Sequence, residues 1–226
     1  MGCMRGLDEN SALWYKVRME ANWATDHLQV IRTLMERSAL YRRALAPIML
    51  TCGVIGIAAA TAACFVKMDR PASFAGFWMG VSVLASLLSF LLVRRQALKD
   101  AEPFWSPPTR RVSQALVPPF LIGLTGAIVF LAFNDLKPGA VWFLAVLWTC
   151  VYGCALHAAG FFMTRGIRLF AWAFILGGCA ALVGGVLRPA LQTPEAAHYL
   201  MGIFFGALHL AYGVYLYFTE KSRNAA

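Results

Sequence analysis

Cys150, Cys154 and His157 follow one another at steps of four and three residues, which in a helix places two thiols and an imidazole on one face. Thiolates and an imidazole are ligands for copper(I) or zinc. Cys179, near the middle of the next apolar stretch, is in a position to add a fourth ligand from an antiparallel neighbour. Cys150, Cys154, His157 and Cys179 therefore form a candidate metal site. The plainer reading is packing, because cysteine is also a small apolar residue and no Cys-x-x-Cys pair is present.

His209 is the second candidate. At 100° per residue, His198, Phe205, His209, Tyr212 and Leu216 share one helical stripe, flanked by Gly202, Gly206 and Gly213. Gly202 with Gly206, like Gly76 with Gly80, makes a GxxxG pair that lets another backbone approach closely. A histidine beside such a seam faces protein and needs a hydrogen-bond partner there. Either it is a satisfied structural residue, or with Tyr212 and His157 it orients a ligand. A haem held by His157 and His209 is permitted by depth: at about 1.5 Å per residue they lie within about 5 Å in height. Nothing in the composition calls for a cofactor.

Pro118 and Pro119 lack the N–H groups that a helix interior uses, so the ladder opens and the helix bends there. The freed carbonyls either line a cavity, which makes Pro118 and Pro119 candidate ligand-binding positions, or mark the helix's entry into the membrane.

The elements that must position these residues are six stretches free of Asp, Glu, Lys and Arg, at about 44–66, 72–93, 112–134, 138–164, 169–187 and 196–219. Each is long enough to cross a hydrocarbon core. With 60% hydrophobic and 14% charged residues, the expected fold is all-α: a polytopic membrane protein with a six-transmembrane-helix bundle. Residues 1–43 form an amphipathic helical arm, with Leu28, Ile31 and Met35 at helical spacing, and residues 220–226 a tail. The arm either docks a partner or packs under its own bundle.

An even number of spans puts both termini on one side. That side holds sixteen of the twenty Lys and Arg residues and the other four, so both termini are expected in the cytoplasm. The net charge of +9 then reflects topology and contact with anionic lipid headgroups, not nucleic-acid binding. No removable signal peptide is indicated, and Gly6 stands where the myristoylation pattern wants Ser or Thr. Short connections pair the helices as antiparallel hairpins. The longest, Arg94 to Arg111, contains Pro103, Pro107 and Pro108, which predict a rigid loop.

The stretches SPPTRRVSQALVPPFLIG (106–123), TCVYGCALHAAGFF (149–162) and FGALHLAYGV (205–214) resemble a family of uncharacterised bacterial inner-membrane proteins. Their genes are often neighbours of winged-helix transcriptional regulators. The resemblance implies a bacterial inner-membrane location, one six-helix domain and a regulatory or stress-related setting, and it draws attention to Pro118, Pro119, His209 and Gly213. The cysteines of the fourth span depart from that pattern.

The sequence has no HExxH, no glycine-rich phosphate loop and no charge inside a span of the kind that marks proton relays. The expected function is a non-catalytic interaction or sensing module, contacting lipid, a protein partner at the arm, or a second copy through glycine seams. The alternatives are a carrier or binder of an apolar or weakly polar small molecule or lipid, and a metal- or haem-binding protein.

Overall fold

The computed structural model describes residues 44–66, 68, 70–99, 101, 105, 107–133, 136–163 and 165–224. The arm expected over residues 1–43 lies outside the described residues. The rest is a six-helix membrane bundle without strands among the described residues. Its helices are α1 (Ala44–Val66), α2 (Pro71–Lys99), α3 (Pro107–Ala132), α4 (Ala140–Ala159), α5 (Arg165–Leu187) and α6. The sixth has three parts: an α segment (Pro194–Met201), a π segment (Gly202–Leu208) and a second α segment (His209–Asn224). Each of the six carries an apolar window of mean hydropathy between 1.5 and 2.2, long enough to span a bilayer.

The helix ends differ from the apolar stretches where charge and helix formation part company. Charged residues stop a hydropathy window, but Arg, Gln, Ala, Leu and Lys are good helix formers, so α2 runs on through Arg94 and Arg95 to Lys99. Lys99, in its last turn, sits where the unpaired carbonyls favour a cation. The expected rigid loop from Arg94 to Arg111 is correspondingly shorter. Pro107 and Pro108 do not break structure there; they open α3, because the first turn of a helix has no use for their missing N–H groups. α5 likewise starts at Arg165, and α4 ends at Ala159, where Gly160 to Met163 make the turn. α6 begins with Pro194 at its first turn and Thr193 as its cap, the hydroxyl accepting from the Ala196 N–H at 3.2 Å.

α4 is the central rod: half of its apolar window is buried inside the protein, against 6% for α2, and it touches α2, α3, α5 and α6. Two core clusters form around it. One joins Phe74 and Trp78 of α2 to Val141, Leu144 and Ala145 of α4 and to Ala197, Leu200 and Met201 of α6. The other joins Leu45 and Met49 of α1 to Leu156 of α4 and to Ile167, Phe170 and Phe174 of α5. Phe204 and Phe205, in the π segment, pack against both.

α1 and α6 meet along a glycine seam. A methyl group on Gly53 would come 2.5 Å from the backbone nitrogen of Leu210, and one on Gly206 would come 2.8 Å from that of Ile57. Gly202 faces Ala60, and Gly213 faces Leu50. The seam expected on the sixth span is thus occupied by the first. Gly76 and Gly80 do not make a close helix contact: Gly80 has open space beside it, and Gly76 would only graze Leu131 at 3.7 Å.

Candidate functional site

Inside lipid, a buried polar side chain has no water to fall back on, so the bundle's buried histidines show where its polar chemistry is concentrated. His209 is 2% exposed. Its Nδ1 lies 3.0 Å from the Phe204 carbonyl and its Nε2 2.8 Å from the Tyr152 hydroxyl. A carbonyl only accepts, so Nδ1 carries the hydrogen, and the neutral ring's Nε2 accepts from the Tyr152 O–H. The π segment makes the first of these bonds geometrically natural. Its i→i+5 turn sets residues 204 and 209 nearly one above the other, whereas five residues of α-helix would rotate them about 140° apart.

Aromatic rings close the site. Phe170 and Phe174 meet the His209 ring edge-on at centroid distances of 5.1 and 5.4 Å, Phe205 stacks at 6.1 Å, and Tyr152 leans in at 5.5 Å. Tyr212 stacks on Phe170 at 4.5 Å, so it forms the wall behind the site and not a direct neighbour of the imidazole.

His198, 3% exposed, anchors the other core. The Trp78 indole N–H donates to its Nδ1 at 3.0 Å, and its Nε2 lies 3.3 Å from the Met68 carbonyl in the α1–α2 connection. An indole only donates, so here Nδ1 accepts and Nε2 carries the hydrogen. The two buried histidines are therefore opposite tautomers, each fixed by a partner that can play only one role. His198 shares the stripe of His209, but it ties α6 to α2, whereas His209 ties it to α4.

The remaining candidates are not brought together with His209. Tyr152 and His157 are five residues apart on α4, about 140° around the helix, and only Tyr152 reaches inward. The His157 ring sits edge-on to Phe161 at 5.3 Å and to Trp172 at 5.5 Å, sharing no ring neighbour with His209. A bis-histidine pair for haem is not assembled, and both nitrogens of His209 are already engaged. Among the described residues no three of His, Cys, Asp and Glu converge on a metal-sized position. Cys150 lies near Cys179 across α4 and α5 and near Cys154 on its own helix, but His157 turns to its aromatic neighbours. Cys150 lies against Gly178, while Cys154 and Cys179 are exposed on the outside of the bundle.

Pro118 is exposed and Pro119 half-buried, and α3 continues helically through both. Four residues below them, the Gln114 and Ala115 carbonyls lose their usual N–H partners by covalent necessity. Farther along, Trp148 of α4 donates to the Gly123 carbonyl at 2.9 Å and pins α3 to the central rod.

Sequence reasoning missed Tyr152 and Trp78, the partners of the two histidines, and also Gly53 and Gly56, the α1 side of the seam. A three-residue glycine step on α1 was the available signal. Compared with protein-family models, curated proteins and solved structures, the chain matches none.

Proposed function

We propose that this chain is a non-catalytic protein of the bacterial inner membrane whose bundle serves as an interaction or sensing module. In this reading both termini lie in the cytoplasm, and the N-terminal arm and arginine-rich face contact lipid and a protein partner. The observation that carries it is the commitment of all four ring nitrogens of His198 and His209 to groups of the protein itself. A catalyst or carrier keeps polar atoms aimed at its substrate; here three of the four tie α6 to α4, to α2 and to the α1–α2 connection, and the fourth bonds within α6. The family resemblance of the proline and glycine stretches supports the bacterial setting.

Reporter fusions at both ends test the sidedness: activity of a cytoplasmic reporter at each end is expected, and a periplasmic signal from either contradicts it. For the module itself, in-membrane crosslinking of the full chain should capture a stoichiometric partner that is lost on deleting residues 1–24. A purified protein that remains without any partner, and instead turns over or retains a small molecule, overturns the reading.

A further inference from the structure

The turn between α4 and α5 gathers positive charge with no carboxylate beside it among the described side chains. Arg165 opens α5 and Arg168 follows in its first turn, with no acidic residue there. A helix N-terminus already carries about half a positive charge and disfavours cations; the C-terminus of α4 beside it offsets only about that half. Among the residues with described side chains the sole carboxylate is Glu195, at the start of α6 on the opposite side of the bundle.

The geometry around Arg168 is specific. Gly160 leaves room for its stem, since a methyl group there would come 2.6 Å from Arg168 Cγ. The guanidinium carbon lies 5.4 Å from the centre of the Phe161 ring. Its Nε is shut off from solvent with no hydrogen-bond partner among the described residues, a costly state for a donor on a charged group. Beside it stand His157, edge-on to Phe161 and Trp172, and three exposed apolar side chains, Phe161, Leu169 and Trp172.

We propose that this turn is a binding site for an anionic phospholipid, its phosphate held by Arg165 and Arg168 and its acyl chains lying along Leu169 and Trp172. A planar guanidinium matches phosphate oxygens in a bidentate fork, and exposed Arg165, three residues before Arg168 on the same helix end, adds a second cation. The exposed apolar flank, on a membrane-spanning helix, selects a lipid over a free anion. The assignment rests on this face lying at the headgroups of an anionic leaflet, a sidedness that the reporter fusions test separately.

The test uses full-length protein in neutral detergent, with thermal unfolding followed as phosphatidylglycerol, phosphatidylcholine or inorganic phosphate is added, and with native mass spectrometry to count bound lipid. Phosphatidylglycerol is expected to raise the unfolding temperature and to be retained at one site, while phosphatidylcholine and inorganic phosphate do neither. Arg168→Gln should weaken the apparent affinity for phosphatidylglycerol about tenfold, whereas Arg188→Gln, at the other end of α5, should leave it unchanged. Should Arg168→Gln fail to fold, Phe161→Leu, at an exposed ring, should weaken it about threefold. Equal effects of phosphatidylcholine, equal effects of inorganic phosphate, or wild-type affinity in Arg168→Gln or, where that variant does not fold, in Phe161→Leu would each overturn the site.

Discussion

Tyr152 of α4 and His209 of α6 meet at 2.8 Å, fifty-seven residues apart in sequence, and this contact joins the central rod to the one helix with a π segment. Because the Phe204 carbonyl fixes the hydrogen on Nδ1, the tyrosine is the donor. Tyr152→Phe keeps the ring and deletes that donor, leaving a buried lone pair without a partner. A loss of about 1–3 kcal/mol in unfolding free energy is expected. Combining it with His209→Leu should cost less than the two single changes added together. Reversible unfolding in mixed micelles measures both; strict additivity would mean that the bond contributes nothing.

The Trp78–His198 bond makes a parallel case at the other core. Trp78→Phe leaves Nδ1 of His198 without its 3.0 Å donor and should destabilise by about 1–3 kcal/mol. The same change at exposed Trp172 should be nearly silent in the same unfolding assay.

Two glycine pairs that look alike in sequence should respond oppositely. Gly206→Ala drives a methyl group into the α1 backbone at Ile57 and should cost about 1–3 kcal/mol. Gly80→Ala enters open space and should stabilise by up to about 1 kcal/mol through helix propensity. Melting temperatures of the two variants decide the matter, and equal effects would contradict the seam.

Removal of metal should change nothing in the bundle. Since Cys150, Cys154, His157 and Cys179 do not converge as a ligand set, treatment with a strong chelator should leave the melting temperature unchanged to within about 1 °C, because only a ligand bound to the folded state stabilises it. Stoichiometric copper or zinc by elemental analysis, together with a chelator-induced drop, would reinstate the site.

The six rods are legible from hydropathy alone because lipid imposes one rule on every exposed side chain. Their ends are less so. The run Arg94 to Lys99 is polar yet helical, and Pro107 reads as a breaker although it starts α3. The site is legible by halves. His209 stands out because a histidine beside glycines in an apolar span needs a partner, but Tyr152 sits between two cysteines on α4 and reads as one more aromatic. Trp78 lies 120 residues from His198, and no local pattern joins them. The π segment is invisible to a fixed 100° step, yet it sets which carbonyl His209 meets. Arg168 reads as a topology charge; only the fold shows its stem laid over Gly160 and its Nε closed in.

Histidine-selective 15N NMR of the full chain in lipid nanodiscs shows whether the buried imidazoles are sealed structural groups. One histidine is expected to be protonated on Nδ1, assigned by its loss in His209→Leu, and one on Nε2, assigned by its loss in His198→Leu, with neither signal moved by added zinc, copper(I) or haem. Two buried histidines in the same tautomer, or a His209 signal that shifts when a metal or haem is added, would contradict it.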